Sequence, residues 1–299
     1  MTHAMPSSNA VQHENLWLSA MPVTFVLLWS TGFLGAKLGL PYAEPFTFLL
    51  WRFVILTALL SLVAVAMRAP WPATWADVGR IALVGLLVHG AYLGGVFYSI
   101  HAGLPAGISA LIVGLQPVLT AVGAGLFLGE RIRPRQWLGF VLGLMGVALV
   151  LGEKVTLDIR SADGVAAAVL ALFAITSGTL YQKRHGSATD LRSGSALQFA
   201  AAAVPMLVLA WMFESRAVVW SGEFVFALGW LVVVLSVGAI SLLWMMIKRG
   251  AASKVASLFY LTPPVTAVFA WMMFGETLGV MAIGGMVVTV VGVAMVTRS

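Results

Sequence analysis

Ten apolar runs, at approximately 16–36, 46–66, 79–100, 104–128, 136–152, 164–183, 195–213, 224–247, 252–274 and 278–297, fill the chain and leave only short polar connections between them. The hydrocarbon core of a bilayer is about 30 Å thick and each helical residue rises about 1.5 Å, so runs of this length are long enough to cross it. Hydrophobic residues are 61% of the chain and charged residues 9%, where a soluble domain carries about 25% charged residues. No soluble fold of this size hides so much apolar surface. The spans are expected to be helices, because lipid offers no partner to an unpaired backbone group and the sequence lacks the alternating pattern of a transmembrane barrel. The expected fold is an all-α membrane protein with ten transmembrane helices.

Lys and Arg fix the expected orientation. Arg68, Arg80, Arg133, Arg184 and Lys248 fall on the side that carries both termini, whereas Lys37, Arg52, Lys154, Arg160 and Arg216 fall on the other, which is richer in Asp and Glu. Cytoplasmic loops retain the excess of Lys and Arg, so both termini are expected in the cytoplasm. The first fifteen residues hold no Lys or Arg, unlike the start of a secretory signal peptide, and read as a disordered tail. The net charge of +6 is spread singly between apolar runs rather than gathered in a stripe, which argues against a nucleic-acid partner. With no cysteine there is no disulfide framework or thiolate metal site, and no metal or cofactor is expected.

The chain also repeats itself. A shift of 146 positions lays Ser30-Thr31-Gly32 on Thr176-Ser177-Gly178, Lys37 on Lys183, Phe53 on Phe199, Ala106 on Ala252, Pro117 on Pro263, Gly129-Glu130 on Gly275-Glu276 and Gly146-Val147-Ala148 on Gly292-Val293-Ala294. Each copy holds five spans, an odd number, so the second enters the membrane from the opposite side. The expected organisation is a tail over 1–15, a first repeat over 16–152, a linker over 153–162 and an inverted second repeat over 163–299. Inverted repeats recur in secondary transporters, which bind substrate between the halves near mid-membrane.

The pattern Pro-x2-Thr-Ala-x7-Gly-Glu-x8-Gly-x6-Gly-Val-Ala from Pro117 to Val150, present again from Pro263 to Val296, resembles the signature of the EamA-like branch of the drug/metabolite transporter superfamily. The resemblance covers nearly the whole chain after residue 15. It implies two inverted five-helix repeats, a bacterial inner (plasma) membrane location, and a carrier most similar to exporters of amino acids, aromatic ones included. Lys37 and Lys183 align under the repeat but belong to opposite membrane faces, which argues against a shared binding role.

Several residues are placed to line a path. His89 is the one ionisable side chain expected well inside a span, and Tyr92, Val96 and Ser99, with Gly85, share its helical face. Span four sets Gln116 and Thr120 beside Pro117; span nine sets Tyr260 beside Pro263 and Pro264. Such breaks free backbone carbonyls for substrate and can serve as hinges, or they are static kinks. Trp29, Tyr181 and, more remotely, Trp244 add aromatic surface for substrate or for packing. Glu130 and Glu276 each follow a glycine at the end of a span and read as structural caps of the helix that follows. Gly139, Gly143, Gly284 and Gly285 read as close helix contacts.

The function expected from this set is a secondary transporter that exports small neutral metabolites, foremost amino acids, by alternating access. It needs no partner beyond substrate and bilayer and is read as a monomer. Exporters of other small molecules fit the same features. An intramembrane hydrolase would pair His89 with a serine nucleophile, yet no Gly-x-Ser-x-Gly or His-Glu-x-x-His element occurs, and no Walker motif supports an ATP-driven pump. The middle thirds of the spans are expected to hold neither Lys nor Arg, which disfavours phosphorylated substrates.

Overall fold

A computed structural model of the protein describes residues 8–128, 133–154, 159–185, 190–248 and 258–297. Ten helical units follow one another among the described residues. They are α1 (Ser8–Gly39), α2 (Pro45–Ala66), α3 (Trp75–His101), α4 (Ala106–Val113 and Gln116–Leu128), α5 (Pro134–Lys154) and α6 (Ile159–His185). After them come α7 (Leu191–Phe213), α8 (Gly222–Gly229, Trp230–Ala239 and Ile240–Lys248), α9 (Phe259–Leu261 and Thr262–Phe274) and α10 (Val280–Thr297). Seven stretches are long and apolar enough to cross a membrane; the apolar parts Pro134–Val150, Thr262–Phe274 and Val280–Met295 are shorter over the described residues. The α1 helix begins inside the segment expected to be a disordered tail. No Gly or Pro lies between Ser8 and Met21 to stop it.

Local chemistry sets the ends. Pro45 opens α2 at a position that needs no amide, behind Glu44 in extended conformation. Thr74 accepts from the Asp77 amide to start α3, and Ser221 accepts from Phe224 N to start α8. Asp190 caps α7 and is clasped by Arg192, whose donated hydrogen bonds hold the carboxyl well below the usual carboxylate range. Gly275, at φ +66°, ends α9 in the left-handed region, where a side chain would be strained.

The helices alternate in direction. Glu214, at the end of α7, accepts hydrogen bonds from the Phe46 and Thr47 amides at the start of α2, both at 2.7 Å, while Ser193 at the start of α7 donates to Pro70 O just beyond the end of α2. Packing then follows the repeat. The α2–α7, α4–α9 and α5–α10 pairs each join a helix to its own repeat mate, and α1 meets α8 and α9 as α6 meets α3 and α4. Exchanging the repeats turns one set of contacts into the other, as an inverted duplication about an in-plane axis requires. Phe53, Phe97, Phe199, Phe224 and Leu231, drawn from both repeats, form the central core. Large apolar side chains such as Leu62, Trp211, Met272 and Val280 stay exposed on the outside, far more than water tolerates and as a lipid-facing surface requires.

Candidate functional site

Two irregularities recur at matched places and aim at the same point. Helix α3 is π-helical over Leu86–Ala91 and α8 over Trp230–Ala239; the shift of 146 carries the first into the second. Each π turn adds a residue to the helical circuit, frees a carbonyl and redirects side chains. Ser236 uses this: its hydroxyl donates at 2.9 Å to the carbonyl of Leu231, five residues back. Likewise α4 breaks at Gly114–Leu115 and α9 starts with a 3-10 turn at Phe259–Leu261, again matched by the shift. The breaks touch: a Cβ on Gly114 would lie 2.9 Å from Pro263 Cγ.

A cavity of about 120 Å³ lies where the π segments face each other. Trp29 and Phe33 of α1, Arg52 of α2, His89, Tyr92 and Val96 of α3, Ile175 of α6, Phe199 of α7, and Leu235 and Ser236 of α8 line it. Trp29 and Ile175 are related by the repeat, as are His89 and Leu235, so the axis that relates the halves runs through the cavity. His89 hydrogen-bonds Gln198 (Nε2 to Oε1, 3.2 Å) and stacks on Phe199 with ring centroids 4.1 Å apart. Trp29 packs edge-on to Phe259 at 5.2 Å.

Of the residues singled out from sequence, Trp29, His89, Tyr92 and Val96 meet in this cavity, and Ser99, Gly85, Gln116 and Tyr181 do not. Ser99 is fully buried, with its hydroxyl bonded to Val96 O at 2.8 Å and to Ser109 Oγ at 2.9 Å. Gly85 packs against the backbone of Gln198. The π turn between Gly85 and Tyr92 separates Gly85 from the stripe, whereas Ser99 lies on the same regular helix as Tyr92 and Val96 but further along it, beyond the cavity. Gln116 sits at the α4 break and donates to Thr179 Oγ1 at 3.2 Å, and Tyr181 lies near the end of α6 against the His185 ring at 4.4 Å. Pro117 and Pro263 open the helical segments after the two breaks, with Pro264 next in line. The side chains of Trp244 and Tyr260, and Glu130 as a whole, lie outside the described residues.

Two placements differ from expectation. Glu276 does not cap the following helix α10: it pairs with Lys37 and accepts from the Ala106 amide at 3.1 Å, capping α4 of the other repeat. Lys37 is thereby drawn from a loop charge into a contact between repeats. Arg52, counted with the loop charges, is a membrane-buried residue 4% exposed that donates to Ser236 Oγ at 3.1 Å and lines the cavity. Arg52 stands just outside the middle third of its span, the stretch expected to hold neither Lys nor Arg, and it is buried all the same. The signal was present, because the shift that aligns Phe53 with Phe199 also sets Arg52 on Gln198, the His89 partner.

Comparison with known proteins assigns the architecture. The EamA-like transporter family profile matches twice, over residues 16–152 and 163–298. The chain is 30% identical over 279 residues to the uncharacterized transporter YvbV of Bacillus subtilis, covering 91% of this chain and 88% of that protein. It is 24% identical to the inner membrane transporter YedA of Escherichia coli K12, over 91% and 87% of the two chains. It is also 24% identical to a Salmonella typhimurium protein named a probable amino-acid metabolite efflux pump, over 89% and 90%. One crystal structure shares the fold with a TM-score of 0.64 at 21% identity, covering 93% of this chain and 95% of that one. The chain belongs to the EamA-like transporter family, a multi-pass membrane protein of two five-helix inverted repeats.

Proposed function

We propose that the protein exports small metabolites, foremost neutral amino acids with apolar or aromatic side chains, by alternating access around the central cavity. The observation that carries this reading is the coincidence of the cavity with the repeat axis, where Trp29, His89, Tyr92 and Phe199 surround it. A site on that axis can be uncovered to either face by the same motion of one repeat against the other. Its aromatic walls suit an apolar side chain, and a few oriented polar groups set specificity. The name of the Salmonella relative points to the same substrate class. The excess of Lys and Arg supports cytoplasmic termini in a bacterial inner membrane.

The test is flux in liposomes. Purified protein is expected to move labelled neutral amino acids, phenylalanine among them, and to ignore nucleotide sugars. His89→Ala and Tyr92→Ala are each expected to lower that flux about two- to tenfold, the effect of losing one oriented polar contact. Flux of nucleotide sugars without amino acids would overturn the substrate class; normal amino-acid flux in both variants would move the site elsewhere. Running the assay with and without a pH gradient separates proton-linked from facilitated movement.

Pro117 and Pro263 act in this reading as hinges, since both stand where a helix restarts after a break. Pro263→Ala is expected to slow turnover about tenfold while substrate affinity changes about twofold or less, because the loss is in interconversion of states. Equal losses of rate and affinity would make the proline a static kink.

A further inference from the structure

Arg52 is buried at 4% exposure within an apolar helix, and no carboxylate among the described residues pairs with it. Its Nη2 donates to Ser236 Oγ at 3.1 Å. Its Nε is buried without an acceptor. The ion pairs among the described residues, Lys37–Glu276, Arg80–Asp77 and Arg192–Asp190, leave it out. A guanidinium in this state is costly, because a desolvated cation needs an anion and acceptors to replace its water. Ser236 supplies position instead of charge: its own proton goes to the Leu231 carbonyl freed by the π turn, which turns a lone pair toward Arg52. The result is a guanidinium held in one place, with donor capacity left over, on the wall of the cavity.

We infer that Arg52 receives a carboxylate of the transported molecule, and that the site selects small monocarboxylates with an apolar or aromatic body. The inference rests on the reading of this cavity as the substrate site. A planar guanidinium matches a carboxylate by paired hydrogen bonds, and the exchange of water for that pair is most favourable where solvent is excluded. The rest of the lining is apolar or neutral, with Trp29, Phe97 and Phe199 as its aromatic members. An amine without a carboxylate would bring a second cation to an unanswered one. A phosphate ester would carry close to two charges to a single guanidinium. The repeat sharpens the case: the position matching Arg52 is Gln198, neutral and already engaged with His89. The cavity is thus symmetric in outline but charged at one end, which gives a bound molecule a head and a tail.

The test uses purified full-length protein in nanodiscs and three probes of one shape: phenylalanine, 3-phenylpropanoate with the carboxylate alone, and 2-phenylethylamine with the amine alone. Wild type is expected to bind both carboxylates at least about tenfold more tightly than the amine. Arg52→Gln is expected to lose about tenfold or more in affinity for both carboxylates while the amine binds as well or better, and Arg52→Lys, which keeps charge without the fork, is expected to fall between. Amine binding as tight as carboxylate binding in wild type, failure of both carboxylates to bind, or a folded Arg52→Gln protein with wild-type carboxylate affinity would each overturn the inference. Should Arg52→Gln fail to fold, the wild-type probe series decides. Arg52-dependent binding of 3-phenylpropanoate without phenylalanine flux in liposomes would remove the amino-acid reading and leave this one standing. Phenylalanine flux unaffected by Arg52→Gln would do the reverse.

Discussion

Gly292→Val is expected to remove about 3 kcal/mol or more of stability, within reach of the cost of overpacking a rigid contact, whereas Gly284→Val is expected to change stability by about 0.5 kcal/mol or less. The difference lies in what each glycine faces. A Cβ on Gly292 would lie 2.6 Å from Gly139 O and 2.7 Å from Gly143 N, backbone atoms that no side-chain rotation can move away. Around Gly284, eight residues earlier on the same helix, nothing lies within 4 Å. The contact at Gly292 is one of two that the repeat relates. Gly139 matches Gly285 and Gly146 matches Gly292, and across the α5–α10 crossing Gly292 meets Gly139 while Gly285 meets Gly146. Helices in lipid associate by close packing because lipid tails are as apolar as leucine, so backbones that touch through glycine supply the attraction. Valine at 292 forces α5 and α10 apart and strips the partner contact at Gly285 as well. Thermal unfolding in detergent, with the yield of monodisperse protein as a second readout, checks both variants. Equal stability of the two would mean that the crossing bears no weight.

Much of this architecture was legible because it is periodic. Ten apolar runs and a constant shift need no knowledge of contacts, and Gly285 as a close contact follows from residue type alone. Gly284 does not: it was grouped with Gly285, and only the turn of the helix separates an exposed glycine from a buried one. The π turns are invisible in sequence because no residue pattern encodes an extra residue in a helical circuit, so Gly85 reads as sharing a stripe with His89 and Tyr92 that the structure divides. Arg52 was misplaced for a different reason. It stands seven residues into α2, where a long side chain can reach the interface as easily as the interior, and composition favours the interface. What draws it inward is the α8 hydroxyl at Ser236, a partner 184 positions away. Glu276 shows the same limit: it reads as a cap of the helix that follows, whereas the amide it accepts from lies 170 positions earlier.

Glu276→Ala is expected to open the face that carries Lys37 and Glu276 in an alternating-access carrier. The carboxylate joins three pieces of backbone. It belongs to the link between α9 and α10 in the second repeat, pairs with Lys37 near the end of α1, and accepts from the first amide of α4, both in the first repeat. Lys37 is steadied in turn by the Phe274 ring, 4.8 Å from its Nζ. Beside this tie lies a vestibule of about 490 Å³, lined by His101, Pro105 and Glu276 among others. Any motion that parts the repeats on this face has to break the tie. A charge-assisted hydrogen bond lost from a mostly buried carboxylate costs about 1.5–3 kcal/mol, and each 1.4 kcal/mol moves a two-state balance about tenfold. The chain has no cysteine of its own, so Leu235→Cys, on the cavity wall, reports access to an impermeant thiol reagent. Added to that background, Glu276→Ala is expected to speed labelling from the Lys37 face about tenfold or more, and Glu276→Gln, which keeps an acceptor for the Ala106 amide, to speed it less. Labelling unchanged by Glu276→Ala would reduce Glu276 to a static cap, and equal acceleration from both faces would separate the tie from the choice of face.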